Sequence, residues 1–256
     1  MITQSIDIKT PDGVCDSYIA YPGDSTYPAV ILYMDAFGPR KYLYEMAQKL
    51  ATHGYYVLLP NSFYRTRRAP VVDAKFPIKP ENMPDAHKMI MPLFQTFKPE
   101  LAMRDAGVFL DFLSKQKNVA SGKIGTTGYC LGGGLAIRTA AQYPDRIGAA
   151  ASFHGGNLAT DTADSPHRLL NKIKARLYVA IADNDKSMPP EQIERFKTAV
   201  NASGVYCKTE LYAGAQHGFT MADLPAYNET ALDRHWTNLI NLFDSTLGKN
   251  ALGKDA

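Results

Sequence analysis

The residues best suited to chemistry in this sequence are a cysteine between two glycines, Gly128-Tyr129-Cys130-Leu131-Gly132. A strand-like run, Ile124-Gly125-Thr126-Thr127, precedes them, and an apolar helical pattern from Leu131 to Ala141 follows. This is the nucleophile-elbow pattern with cysteine in place of serine. A strand that turns sharply into a helix pushes the residue at the turn out over the sheet edge, and side chains two positions either side would collide unless they are very small. The helix aims its N-terminal N–H groups at the thiol, which favours thiolate over thiol. A nucleophile so placed needs a base, an acid that orients the base, and donors for the developing oxyanion. His217, in Gly214-Ala215-Gln216-His217-Gly218-Phe219, is the candidate base. Asp183 and Asp185, in Ala182-Asp183-Asn184-Asp185-Lys186-Ser187, compete for the orienting role. The backbone N–H of Leu131, next after the nucleophile, is one expected oxyanion donor, and that of Ala36 is the other. Asp35 beside it is an acid at the mouth of the site, able to take the thiol proton in the resting state; a turn or cap aspartate is its ordinary alternative.

The elements that must position these residues alternate between strand and helix, which predicts an α/β fold with a mostly parallel sheet. A hairpin is expected over Ile2–Lys9 and Val14–Tyr21, split by Pro11-Asp12-Gly13. Pro28–Tyr33 and Tyr55–Leu59 read as buried strands on either side of a helix, Arg40–His53, closed by Gly54. Residues 61–99 hold six prolines and no sustained period, so they read as an irregular insertion at a strand end, a wall or lid with a short helix near Asp85–Phe97. After a helix over Glu100–Gln116 and the elbow come a strand Ile147–Phe153 and a short helix Ser165–Lys172. A strand Ala175–Ala182, a helix opening at Pro189, a strand Val205–Tyr212 and a closing helix Leu224–Leu247 complete the pattern. Residues 248–256 read as a flexible polar tail after one domain spanning 1–247.

Composition narrows the function classes. A net charge of +3 with no run of like charge argues against nucleic acid or an anionic membrane surface as partner. No apolar stretch approaches the length of a membrane span, and the N-terminus lacks the basic start and apolar core of a signal peptide. The three cysteines are widely spaced, with no C-x-x-C pair, which argues against a disulfide framework or zinc site and for a reducing, cytoplasmic setting. Cys15 and Cys207 read as small apolar strand residues, His53 as a helix C-terminal residue, and His154 as a supporting residue near the elbow. Phe37, Phe63 and Tyr64 are expected to line the pocket, with aromatic core packing as the alternative.

With these residues in place, the chain resembles the dienelactone hydrolases (carboxymethylenebutenolidases) of the α/β-hydrolase superfamily. The likeness lies in Gly128 to Gly134, Asp185 with Pro189, His217-Gly218-Phe219, and Phe37-Gly38 after the third strand. The resemblance implies an α/β-hydrolase fold of about eight strands without a large cap domain, no metal or other cofactor, and a Cys130–His217–Asp185 triad. It implies hydrolysis of a lactone or ester through a thioester, and favours Asp185 over Asp183. Family members carry glutamate where this chain has Asp35, and that acid acts as a switch on the thiol. They also hold the substrate carboxylate with two arginines. Arg65 is the counterpart of one, with Arg67, Arg68 and Arg104 as other candidates. The other is missing, since Thr220-Met221-Ala222 stands in its place. The expected function is hydrolysis of a small lactone or ester by a monomer or dimer. A thiol-based redox or ligand-binding protein on the same fold, or an acyltransferase, is the alternative.

Overall fold

The structure is a computed structural model and describes residues 1–248. The strand runs without polar alternation form the centre of the sheet, because strands covered on both faces need apolar residues on both. β3 (Ala29–Tyr33), β4 (Tyr56–Pro60) and β5 (Ile124–Tyr129) are buried at every position. β6 (Ile147–Phe153), β7 (Arg176–Asn184) and β8 (Cys207–Gln216) extend the sheet on one side of them. The hairpin β1 (Ile2–Thr10) and β2 (Gly13–Tyr21) closes the other edge. The eight-stranded order is β1-β2-β4-β3-β5-β6-β7-β8, and only the β1–β2 and β2–β4 pairs are antiparallel.

Helices cover both faces. The buried stripe of α1 (Lys41–Thr52), Leu43, Met46, Ala47 and Leu50, repeats at helical spacing and packs in one core layer with Leu239 and Phe243 of α6 (Glu229–Leu247). The other layer holds Phe109 and Leu113 of α3 (Pro99–Ser114), Leu135 and Ile137 of α4 (Leu131–Gln142), and Phe196 of α5 (Pro190–Ser203). The segment between β4 and α3 holds a 3-10 turn, Pro80–Asn82, and one helix, α2 (Met83–Thr96), close to the helix expected near Asp85–Phe97. Pro84 falls in the first turn of α2, where a missing N–H costs nothing.

The closing helix starts later than its apolar pattern predicts. α6 begins at Glu229, and the Asn228 side chain caps it by accepting from the Ala231 N–H. Pro225 and this cap keep Leu224–Asn228 out of the helix. All but Gly248 of the expected tail lies outside the described residues.

The sheet order fixes the place of the site. β3 sends its connection to β4 on one side, whereas its neighbour β5 continues to β6 on the other. The loops leaving β3 and β5 therefore part at their carboxyl ends and open a crevice between them. Tyr33 pairs with Gly128 across that boundary, so the Met34–Arg40 loop lies beside Cys130.

Candidate active site

The elbow is built on close backbone approach. Cys130 takes φ +55° and ψ −115°, a conformation that costs a non-glycine residue energy and is held by its surroundings. A Cβ on Gly128 would lie 1.9 Å from the Gly132 carbonyl oxygen, and one on Gly132 would lie 2.5 Å from the carbonyl oxygens of Tyr33 and Met34. Both glycines are therefore required by the turn. The Cys130 N–H points to the Phe153 carbonyl at 3.1 Å and to His154 Nδ1 at 3.2 Å, which ties the turn to the end of β6.

His217 follows β8 and Asp185 follows β7, so two adjacent strand ends bring them together. His217 Nδ1–H donates to Asp185 Oδ2 at 2.6 Å. Asp185 Oδ1 accepts from both the N–H and the hydroxyl of Ser187, at 2.8 and 2.6 Å. Burial works against the Asp185 charge, but the bonds from His217 and Ser187 outweigh it and hold the carboxyl below its usual range. Burial likewise disfavours a charged His217. The facing Cys130 charge and the Asp185 carboxylate outweigh that too, and raise His217 well above the ordinary imidazole range. Asp183, the competitor, lies within β7 and accepts from the Gly214 N–H of β8 at 3.0 Å.

Leu131 is the first residue of α4, so its N–H has no intrahelical acceptor. Ala36 lies in the β3–α1 loop on the same cavity as Cys130. That cavity has a volume of about 370 Å³. Phe37 and α2 (Met83, Ile90, Phe94) form one wall, and Met221, Leu224 and Pro225 after β8 form the other. Among the described residues, no group of three or more His, Cys, Asp or Glu side chains is disposed to hold a metal ion.

Asp35 lines this cavity, and its carboxylate is ion-paired inside the protein. Oδ1 accepts from the Phe37 N–H at 2.9 Å, and both oxygens pair with the Arg40 guanidinium at 2.7 and 2.9 Å. Arg40 in turn makes a second two-pronged pair with Asp223, at 2.6 and 3.0 Å. All three residues are buried. Asp35 thus combines a turn role with one end of an ion-paired chain.

The family model for the dienelactone hydrolase family matches residues 15–247. The chain belongs to the dienelactone hydrolase family. It therefore has the α/β-hydrolase fold and is a hydrolase of the ester-bond class. It is 28% identical over 234 residues to the "Putative carboxymethylenebutenolidase" of Synechocystis, covering 90% of this chain and 91% of that one. The structure of the "Putative Dienelactone Hydrolase" of Klebsiella pneumoniae superposes with a TM-score of 0.82 at 19% identity, covering 94% of this chain and 98% of that one. A dienelactone hydrolase-like promiscuous phosphotriesterase from metagenomic libraries gives 0.77 at 23% identity, covering 96% and 99%.

Against the dienelactone hydrolase pattern, two expected pocket residues stand elsewhere. Arg65 is absent from the cavity lining. Its guanidinium makes a two-pronged pair with Asp105 of α3, at 2.6 and 2.8 Å, and its Nε donates to Asp12 of the hairpin turn at 2.7 Å. Asp105 is buried, and a buried carboxylate demands such a partner. Tyr64 is held there too, its hydroxyl bonded to Thr10 and donating to Asp105. Phe63 is a core residue packed on Phe97, whereas Phe37 lines the cavity as expected. Arg68 pairs with Asp7 and Arg104 with Asp12, and neither they nor Arg67 line the cavity.

Three residues matter more than the sequence indicates. Arg40 reads only as a helix start, because its second partner, Asp223, is remote in the chain. Ser187 was legible as the third residue of an Asx turn begun by Asp185. His154 reads as a supporting residue, and its ring bridges the elbow N–H to the Thr220 hydroxyl at 2.7 Å. Accepting at Nδ1 requires the proton on Nε2, so Thr220 is the acceptor there. Burial and the neighbouring histidines push the His154 pKa well below the usual imidazole range, which keeps it neutral beside His217.

Proposed function

We propose that the chain hydrolyses small esters or lactones through a cysteine nucleophile, with a Cys130–His217–Asp185 triad and a thioester intermediate. The observation that carries this reading is the elbow: Cys130 at the head of α4, faced by a half-buried His217 whose Nδ1–H is held by Asp185 at 2.6 Å.

In the first half-reaction the Cys130 thiolate forms a bond to the carbonyl carbon, and the carbonyl oxygen becomes an oxyanion held by the Leu131 and Ala36 N–H groups. As the oxyanion collapses, the carbon–oxygen bond to the alcohol breaks. The His217 imidazolium gives its Nε2 proton to the departing oxygen, leaving an acyl thioester and neutral His217. In the second half-reaction His217 takes a proton from water, the hydroxide attacks the thioester carbonyl, and the tetrahedral adduct expels the Cys130 thiolate. The acid leaves and the imidazolium–thiolate pair is restored. Asp185 holds the His217 ring so that Nε2 faces the thiol throughout.

The same reading takes residues 1–247 as one catalytic domain. Its 61–99 segment walls the pocket through α2, and it works in the cytoplasm, where thiols stay reduced. Replacing Cys130 with Ala is expected to lower turnover of an activated aryl ester by about 1,000-fold or more while leaving the fold intact. Undiminished turnover in that variant contradicts the assignment.

A further inference from the structure

We propose that this pocket selects uncharged esters or lactones with apolar substituents and turns away substrates that carry a carboxylate near the scissile bond. The inference rests on the hydrolase reading above and names its substrate class.

The first observation is what lines the cavity. Its walls present Phe37, Met83, Ile90, Phe94, Met221 and Leu224, and among the described residues no lysine or arginine lines it. Walls of this kind favour apolar groups on both the acyl and the alcohol side of the reacting carbonyl. The lining polar groups beyond Cys130, His217 and Asp35 are His87, His154 and Gln216. His154 has both ring nitrogens engaged inside the protein, so it offers a substrate no donor.

The second observation is the charge set around Cys130. Arg40, a cation behind the wall, is bound on two edges by Asp35 and Asp223 and is buried. It has no face left for a substrate anion. Three carboxylates, Asp35, Asp185 and Asp223, stand against this single guanidinium. The Cys130–His217 pair adds nothing to the balance, because thiol with imidazole and thiolate with imidazolium are both neutral as a pair. The site therefore carries net negative charge wherever the shared proton sits. In a partly enclosed cavity, that charge opposes a second anion brought in by the substrate. His87 stands exposed at the rim on α2.

The test compares esters that differ only in charge. The hemiester mono-4-nitrophenyl glutarate, its neutral methyl ester and 4-nitrophenyl valerate share the leaving group and nearly the same length. The two neutral esters are expected to exceed the hemiester in kcat/KM by about 100-fold or more. A hemiester within about threefold of its methyl ester overturns the proposal.

A second readout separates this inference from the hydrolase reading. Iodoacetamide and iodoacetate alkylate thiols by the same displacement and differ in charge. Located at Cys130 by mass spectrometry, their rate ratio is expected to exceed that for a small free thiol by about tenfold or more. An equal ratio overturns the proposal. If no ester is hydrolysed yet the alkylation ratio holds, the hydrolase reading fails and the charge selection stands. Met83→Lys, at the partly exposed start of α2, places a cation on the wall and is expected to raise hemiester kcat/KM by about tenfold. An unchanged hemiester rate in that variant counts against the proposal.

Discussion

Three cysteines in one chain meet three different environments. Burial among strand residues pushes the Cys15 thiol up to about 12 and the Cys207 thiol up to about 11, which keeps both protonated and inert. Cys130 instead sits at a helix N-terminus facing His217, whose own pKa is raised well above the imidazole range. The sign of that shift sets the pH behaviour. A raised His217 contributes stability fully present below about 6.5 and lost as the pH rises through its folded value. Asp185, held low, contributes stability present above about 3.9 and lost as the pH falls through its folded value. In the proposed reaction the imidazolium is the acid for the leaving oxygen, so the basic limb of kcat/KM against pH is expected well above 6.5. Asp185→Asn removes one of the influences that raise His217. It is expected to move this limb to lower pH and to lower kcat by about 100- to 10,000-fold. A pH–rate profile checks both, and an unshifted limb means that Asp185 does not set the histidine.

At the scale of elements, the elbow was readable because its glycine–cysteine–glycine signature falls within one strand–turn–helix. Gly128, Cys130 and Gly132 are local in sequence, and the sharp turn leaves no other residue type at the outer positions. Gly134 makes the matching control, since a Cβ there meets only Leu158 Cδ2, at an ordinary 3.9 Å. Gly134→Ala is expected to stabilise the protein by about 0.5–1 kcal/mol, the helical preference for Ala over Gly. Gly128→Ala, which would drive a Cβ into backbone, is expected to destabilise it by several kcal/mol or to prevent folding, roughly in line with the largest single-residue effects. Urea denaturation of the two variants checks the contrast. The fate of Asp35 and Arg65 was not readable in the same way. Each is decided by a partner on another element, Arg40 with Asp223 for the first and Asp105 for the second. The late start of α6 was missed for a related reason: Leu224 continues the apolar pattern, but it serves the pocket wall and not the helix face.

Across the whole molecule, alternating strand and helix patterns were enough to anticipate the parallel sheet, and chain order put Cys130, Asp185 and His217 after the parallel strands β5, β7 and β8. Long-range electrostatics were not. The Asp35–Arg40–Asp223 chain joins the β3–α1 loop to the segment after His217, so it fixes the two loops against each other. Arg40→Met would strand two buried carboxylates. It is expected to lower unfolding free energy by about 3–5 kcal/mol, a loss that adding Asp35→Asn and Asp223→Asn should partly restore. Equilibrium unfolding of the single and triple variants decides this, and a single variant as stable as the parent removes the stitch from the account.

The central claim is that Cys130 becomes acylated during turnover. Intact-protein mass spectrometry after rapid acid quench, with a slowly deacylating aryl ester, tests it most directly. The account predicts a mass increase equal to the acyl group, mapped to the peptide containing Cys130 and lost in Cys130→Ala. Steady ester turnover with no acyl adduct on that peptide, or an adduct on another residue, would contradict it.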